Sequence, residues 1–567
     1  MLITALQVPA RVGDVRGNLA RLIPLLSAAA ERGAQLAITP ELALVGYPPR
    51  DLLWRPGLIS DVERAIDDLR SFTQQSDLAV LVGAPWRQPD GTLTNSAFLL
   101  ADGNIAGRAD KQLLPYYDVF DEARYFRPGR ETLCCTLAGR RIAVTLCEDI
   151  WNDPSQAFLD LPYARDPVGG LPGRIDLLVN LSASPFDRTK AAKRRRLLTS
   201  VAGRVQAPLV YVNQVGAQDE LVFDGQSSVT SPGEHPIEAP RFAACALDVH
   251  LGMEGAAVVR SEHLVNAAGA PPRCAALAAN PSAEPSEALV LRAALLTGLH
   301  GYVRNNGFER VLVGLSGGLD SALVALLAAE ALGADAVSAL SLPSRHSSDH
   351  SREDAQALAD AAGFSCREMS IEDVVQAAER SLRTTLGESL AGLTLENLQA
   401  RARGTLLMAV SNQHHALLLT TGNKSELAVG YCTLYGDMCG ALAPIADVFK
   451  TQAYAIAHTY DDGPTPMPGR ILTKAPSAEL RPDQRDDDSL PPYPVLDRIL
   501  MGFIEERLDA AALIAAGEDA GIVREVLSLV RGAEFKRWQA APLIKVSARA
   551  FGGGWRMPLT ATWPGLR

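Results

Sequence analysis

Apolar residues in this 567-residue chain switch repeatedly between two spacings, and that switching restricts the fold more than any other property of the sequence. LITALQV reads as a strand, NLARLIPLLSAAAERG as an amphipathic helix, LAITPEL as a strand, DVERAIDDLRSFTQQ as a helix and LAVLVGAPW as a strand. A period of two buries one face of a sheet and a period near 3.6 buries one stripe of a helix, so their alternation predicts a layered α/β architecture. Further strands are predicted at TNSAFLL, RIAVTLC, DLLVNLSAS and PLVYVNQVG, and between SSVTS and EGAAVVR. Sheet therefore dominates up to about residue 265.

The chain is too long for one hydrophobic core. Residues 266–286, NAAGAPPRCAALAANPSAEPS, lack amphipathic period and have a linker's composition, which predicts domains at 1–265 and 287–567. In the second, helix EALVLRAALLTGLHGYVRNNG leads to strand VLVGL, loop SGGLDS, helix ALVALLAAEALG and strand AVSALSLP. That order is a βαβ unit of a Rossmann-like parallel sheet. The segment TKAPSAELRPDQRDDDSLPPYP is too polar for core and is expected to be a mobile surface loop.

Net charge narrows the partners. Lys and Arg total 54 against 65 Asp and Glu, a formal charge of -11, which gives no general attraction to nucleic acid or an anionic membrane. An anionic ligand then needs a local site. No uncharged apolar run reaches about 18 residues, and the N-terminal segment meets Arg11 and Gly13 before a signal-like core develops. Eight cysteines without a CxxC pair suggest a reducing compartment, so a cytoplasmic location is expected.

Three segments each place a reactive side chain at the end of a predicted strand: Glu41 in ITPELALVGYPP, Lys111 in DKQLLPYYDVF and Cys147 in RIAVTLCEDIW. A thiol attacks a carbonyl as thiolate, so it needs a base and a cation that also steadies the oxyanion. Glu and Lys supply those roles. The order and flanks resemble the nitrilase superfamily of amidases, which implies an α-β-β-α sandwich with Glu41 as general base, Lys111 at the tetrahedral intermediate and Cys147 as nucleophile. Glu122 in VFDEARYF matches a second glutamate that orients the triad. In the glutamine-hydrolysing branch the resemblance assigns Tyr117, Ser184 and Lys190 to the amino acid. Arg188 is an alternative cation for its carboxylate. Tyr47 either lines the same pocket or belongs to the core, and Arg194 to Arg196 read as a solvated basic face.

In VLVGLSGGLDSALVALLAAE, small residues between a strand and a helix let the backbone wrap an anion, with the helix dipole and the Ser316 and Ser321 hydroxyls adding to it. The loop lacks the GK[ST] ending of a Walker A motif. Its SGGxDS string resembles the N-type ATP pyrophosphatases, which activate a carboxylate as an adenylate. That resemblance implies ATP contacts along Gly314, Leu315, Ser316, Gly317, Gly318, Leu319, Asp320 and Ser321, and at Thr421 and Lys450. A carboxylate beside phosphates needs a divalent cation, so Mg2+ is expected at Asp320 and Glu426.

The segments LPSRHSSDHSREDA, TLENLQARARGTLLM, TGNKSELAVGYCTLYGDMCGALAPIADVFKT, KAPSAELRPDQRDDDSLPPY and FKRWQAAPLIKVSARAFGG extend the likeness. With the first domain they resemble the glutamine-dependent NAD+ synthetase family, ligases that amidate deamido-NAD with ATP and glutamine. The likeness implies deamido-NAD contacts at Asn397, Glu426 and Lys536, a shielded passage for ammonia, and homo-oligomeric assembly. Arg401 and Arg403 are either pyrophosphate ligands or helix-surface charges. The chain departs from the usual pattern at His346, Ala441 and Trp538. Two rivals, delivery of nitrogen to an RNA base and a nitrilase-like domain without activity, are disfavoured by the negative charge and by the complete Glu41, Lys111, Cys147 set.

Overall fold

The first predicted strand forms as Leu2–Gln7 and lies within a seven-stranded sheet of the computed structural model. The structure describes residues 1–562 apart from 155, 157, 160–161, 253–256, 266, 268, 280–283, 388–389, 462–466, 478 and 482–483. Backbone contacts divide the chain into two units, Met1–Pro285 and Ser286–Arg567.

In the first unit the seven-stranded sheet runs Ala257–Leu264, Cys245–Leu251, Leu2–Gln7, Leu36–Ile38, Ala79–Arg87, Leu93–Ala101, Asn104–Asp110. A six-stranded sheet runs Ile237–Glu238, Ser228–Thr230, Leu209–Asn213, Leu177–Ser182, Arg140–Leu146, Leu133–Leu137. Each has three adjacent parallel strands at its centre and antiparallel strands outside. Alternation along one strand explains the layering. Leu177, Val179 and Leu181 point toward the other sheet and pack with Ile3, Ile38 and Leu81, whereas Leu178 points outward to Leu197, Leu198 and Val201 of helix Lys190–Val205. Helices Val15–Glu31 and Pro56–Gln74 cover the outer face of the larger sheet through Leu22, Leu26, Val62 and Leu69. The result is an α-β-β-α sandwich.

PLVYVNQVG was expected as one strand. It breaks at Gln214, whose amide donates to Ser182 O at 3.1 Å, and Val215–Gln218 then pairs in a separate hairpin with Leu221–Asp224. Arg194 is a second departure. Helix spacing from Leu197, Leu198 and Val201 turns it inward, where it is 1% exposed and paired with Asp224 at 3.0 Å; Arg195 is bidentate to Glu238 at 2.7 Å.

The second unit contains a four-stranded, wholly parallel sheet in the order Ser365–Glu368, Val337–Ser341, Val311–Gly314, Leu417–Leu419. Two strands follow Val311–Gly314 on one side before the chain crosses to the other, so the strand order reverses there, and such a switch point leaves a crevice at the carboxyl ends of the strands. Helix Leu319–Leu332 is buried on almost every side, as its nearly uniform apolar sequence requires. A second core joins the C-terminal helices through Leu496, Leu500, Val526, Leu527 and Trp555.

Two composition-based expectations need correction. Within 266–286, Arg273–Ala275 forms a 3-10 turn with Ala275 fully buried, and Leu277 bridges to Arg241, so this part packs on the first unit rather than hanging free; 266, 268 and 280–283 lie outside the described residues. In the polar stretch near the C-terminal third, Asp486 is 4% exposed and accepts from Tyr493 Oη at 2.9 Å. Asp486 is thus held inside, while Arg481, Arg485, Asp487 and Asp488 around it are exposed as expected, and 478 and 482–483 lie outside the described residues. Among the described residues no helix is long and apolar enough to cross a membrane.

Candidate active sites

The parallel strands of the first unit deliver their chemistry at their carboxyl ends. Strand Leu36–Ile38 stops short of Glu41, which is fully buried. Its Oε1 accepts from Lys111 Nζ and from Asn95 Nδ2, both at 2.8 Å, and its Oε2 accepts from the Ala183 amide at 2.9 Å. Lys111 follows strand Asn104–Asp110, is fully buried, and donates also to Glu122 Oε1 at 2.7 Å. Cys147 begins a 3-10 turn after strand Arg140–Leu146 with φ 39, a left-handed conformation that costs a non-glycine residue roughly 1–3 kcal/mol. Such strained strand ends recur where a nucleophile must be presented.

The charges of Glu41 and Lys111 both act on the thiol. Burial first, then Glu41, raises the Cys147 pKa well above the ordinary thiol value, with Lys111 opposing. Burial works against the Lys111 charge, but Glu122 and Glu41 outweigh it and raise its pKa well above normal. Burial pushes Glu122 up to about 7, against Lys111 and reinforced by Glu41. Two carboxylates thus hold one permanent ammonium next to a thiol.

The structure brings together Glu41, Lys111, Glu122 and Cys147, and sets Tyr117 and Lys190 close by. Tyr117 Oη donates to Glu148 Oε1 at 2.9 Å, and Tyr163 Oη donates to the same oxygen at 3.3 Å. The Lys190 ammonium lies 5.7 Å from the ring centroids of both Phe120 and Trp151. Phe120 also packs against Tyr117 and Tyr47. Ser184 is held through its main chain, its amide donating to Asn213 Oδ1 at 2.9 Å.

Tyr47 lies among the same groups. It is 3% exposed, and its hydroxyl donates to Glu122 Oε1 at 2.8 Å, so its polar end is spent on the carboxylate that grips Lys111. Asn95, Glu148, Phe120 and Asp149 were not singled out from sequence. Only Glu148 and Asp149 carried a signal, as the two acidic residues directly after Cys147.

In the second unit, strand Val311–Gly314 runs into the glycine loop at the crevice. Gly317 has φ +75, and a Cβ there would come within 2.2 Å of Ser351 O, so both conformation and space demand glycine. Ser321 Oγ donates to Gly318 O at 3.0 Å and accepts from the Ser316 amide at 3.2 Å, closing the loop on the first turn of helix Leu319–Leu332. Leu315 is pinned by its amide to Leu340 O at 3.0 Å.

Asp320 accepts from the Lys450 ammonium and, at 3.3 Å, from Asn423 Nδ2. Lys450 Nζ is also 3.7 Å from Glu426 Oε1. Burial and then Asp320 push the Glu426 carboxyl up to about 8, with Lys450 opposing and Asp486 adding to the shift. Acidic groups crowded around one lysine form a site short of positive charge. Among the described residues no group of three or more His, Cys, Asp or Glu is arranged to hold a metal. Mg2+ commonly takes one or two carboxylates plus substrate phosphates and water, so the Asp320 and Glu426 oxygens fit that ion beside ATP.

Thr421 lies just beyond strand Leu417–Leu419. Asn397 Oδ1 accepts from Thr433 Oγ1 at 2.8 Å. Arg403 donates to Leu342 O at 2.9 Å, at the carboxyl edge of the sheet, and burial pulls its pKa down to about 10 with Glu479 opposing. Arg401 instead reaches Leu434 O at 3.2 Å. Lys536 donates to Gly430 O at 2.7 Å and Cys432 O at 2.6 Å, capping the carboxyl end of helix Lys424–Val429. Its ammonium thus braces the segment that carries Glu426. Among the departures, His346 donates its amide to Ser344 Oγ, Ala441 donates its amide to Leu418 O, and Trp538 is 67% exposed.

The family model for carbon-nitrogen hydrolases matches residues 2–243, and the model for NAD synthase matches residues 291–540. The chain is 42% identical over 564 residues to the glutamine-dependent NAD(+) synthetase of Synechocystis, covering 98% of this chain and 97% of that protein. It is 40% identical over 582 residues to the Thermotoga maritima protein of that name, covering 98% of each. A solved structure of the glutamine-dependent NAD+ synthetase from Acinetobacter baumannii, in complex with ADP, is 35% identical and covers 98% of both chains with a TM-score of 0.74.

Proposed function

The chain belongs to the glutamine-dependent NAD(+) synthetases, ligases that form NAD with glutamine as amide donor, and from that premise we propose how its residues divide the work. The observation that carries the proposal is the pair of buried charge clusters, Glu41–Lys111–Glu122 around Cys147 in one unit and Asp320–Lys450–Glu426 beside the glycine loop in the other.

In the first unit Glu41 takes the Cys147 proton as sulfur attacks the glutamine amide carbon. Lys111, fixed by two carboxylates, stabilises the oxyanion and needs no reorganisation to do so. Glu41 returns that proton to the departing nitrogen as the intermediate collapses, so ammonia leaves, a glutamyl thioester remains and the carboxylate is free again. Water activated by Glu41 then attacks the thioester and releases glutamate. Tyr117, Ser184 and Lys190 hold the amino acid, Lys190 facing its α-carboxylate. Tyr47 acts through Glu122.

In the second unit the nicotinate carboxylate of deamido-NAD attacks the α-phosphorus of ATP. Pyrophosphate leaves, held by the backbone of Ser316–Ser321 and by Lys450. Ammonia attacks the acyl adenylate, and AMP departs with formation of NAD. Asp320 and Glu426 would hold Mg2+, whose chemistry there would be positive charge against the leaving pyrophosphate. Thr421 borders ATP, and Asn397, Arg403 and Glu426 border deamido-NAD, with Lys536 supporting that border. A cytoplasmic location and homo-oligomeric assembly belong to the same reading on the strength of the family likeness, and light scattering tests the assembly.

Acid quenching of the protein with glutamine, followed by peptide mass spectrometry, should find a glutamyl adduct on Cys147. An adduct elsewhere would remove the assignment. Acidity gives a second check. Because Glu122 has its pKa raised to about 7, it is protonated below that value and then holds Lys111 less firmly. Glutamine hydrolysis should fall as pH drops through about 7, and in Glu122→Gln the rate should be lower with that acid limb absent. An unchanged limb in the variant would assign it to another group.

A further inference from the structure

Lys111 and Cys147 leave strands of different sheets, Asn104–Asp110 of the seven-stranded and Arg140–Leu146 of the six-stranded. No ladder therefore sets their separation. One side chain spans the gap. Asp149 is 2% exposed; its Oδ2 accepts from the Leu146 amide at 3.0 Å, and its Oδ1 accepts from the Gln112 and Leu113 amides, each at 2.9 Å. Leu146 immediately precedes Cys147, and Gln112 immediately follows Lys111.

We propose that Asp149 is a positioning residue for glutamine hydrolysis, its carboxylate fixing the main chain beside the nucleophile against the main chain beside the oxyanion-stabilising lysine. Bonds from neutral amides to a carboxylate are shorter and about twice as strong as neutral ones. Three of them converge here on the element whose first residue is held at φ 39, so they also sustain the strained presentation of the thiol. The geometry further explains why an amide is a poor substitute. Asparagine keeps one acceptor oxygen, and its NH2 group must face either the Leu146 amide or the Gln112 and Leu113 amides, donor against donor. A buried donor facing another donor is left unsatisfied, so the turn must shift to relieve it.

The inference rests on Cys147 being the nucleophile. Displacement of a catalytic group by about 1 Å can cost about 100-fold in rate, so Asp149→Asn should lose about that factor in kcat for glutamine hydrolysis while KM stays within about threefold. None of Tyr117, Ser184 and Lys190 is replaced and none bonds to Asp149, which is why KM should hold. Alkylation of Cys147 by iodoacetamide should change in rate alongside kcat. Asp149→Glu keeps both acceptors one methylene further out, and it should fold and retain about tenfold more kcat than the amide variant. NAD formation from ammonium salts, whose proposed chemistry lies in the second unit, should persist in both. Wild-type kcat in a folded variant overturns the proposal. So does a loss confined to KM, or a loss that tracks disappearance of the folded signal in both variants. Glutamine hydrolysis surviving in Cys147→Ala would instead bring down the underlying reading.

Discussion

Cys147→Ala is expected to lose glutamine-dependent NAD formation by at least about 10^4-fold, since deleting a nucleophile removes the covalent path altogether. NAD formation from ammonium salts should continue at high pH, where more of the nitrogen is the neutral nucleophile. The reason is spatial. The substitution removes one sulfur from a buried cluster in Met1–Pro285, whereas the glycine loop, Asp320, Glu426 and Lys450 belong to Ser286–Arg567. Other cysteines lie in different surroundings. Cys134 and Cys135 sit on the edge strand Leu133–Leu137, and Cys432 belongs to the second unit. Quantifying NAD with each nitrogen source checks both halves. Loss of both activities would make the first unit necessary to the second's fold or assembly.

Asp320→Asn is expected to produce the reciprocal phenotype. It removes the carboxylate that pairs with Lys450 and that, with Glu426, fits a divalent cation at the phosphates. Charge stabilisation of that kind is worth several kcal/mol, so AMP and NAD formation from either nitrogen source should fall by at least about 10^3-fold. Glutamine hydrolysis should remain measurable, because Glu41, Lys111 and Cys147 need no metal. AMP release at the unaltered rate would remove Asp320 from the site.

How much of this was legible depended on whether the information was local. The alternation of periods marked the central strands of the first unit and helices Val15–Glu31, Pro56–Gln74, Glu287–Asn305 and Leu319–Leu332, and PEL, KQLLPYY, LCED and SGGLDS marked the clustered groups, because each motif is contiguous; the edge strands Asn104–Asp110 and Leu133–Leu137 and the helices after Leu332 were not marked. What escaped was carried by distance. Asn95 joins Glu41 across 54 residues, and nothing in TNSAFLL marks it beyond strand alternation. Lys424 is fully buried against Asp447, Glu505 and Ser547, partners up to 123 residues away, and in sequence it is only the lysine of GNKSE. Arg194 was legible in principle: it lies three and four residues before the buried Leu197 and Leu198, yet its basic neighbours suggested a solvated face. Tyr47 was read as wall or core, and its hydroxyl proved to be the informative part, since only the fold brings Glu122 to it. Composition did not reveal that Ala275 and Asp486 are buried, because Ala, Pro and Asp are consistent with loops but do not prevent specific pairing with a distant surface.

The central claim is that glutamine nitrogen reaches NAD only through Cys147. Supplying deamido-NAD, ATP and amide-15N glutamine together with unlabelled ammonium, and then measuring the isotope in NAD, tests it directly. The intact protein should make 15N-labelled NAD, while Cys147→Ala under the same conditions should make only unlabelled NAD. Labelled NAD from the alanine variant would contradict the account.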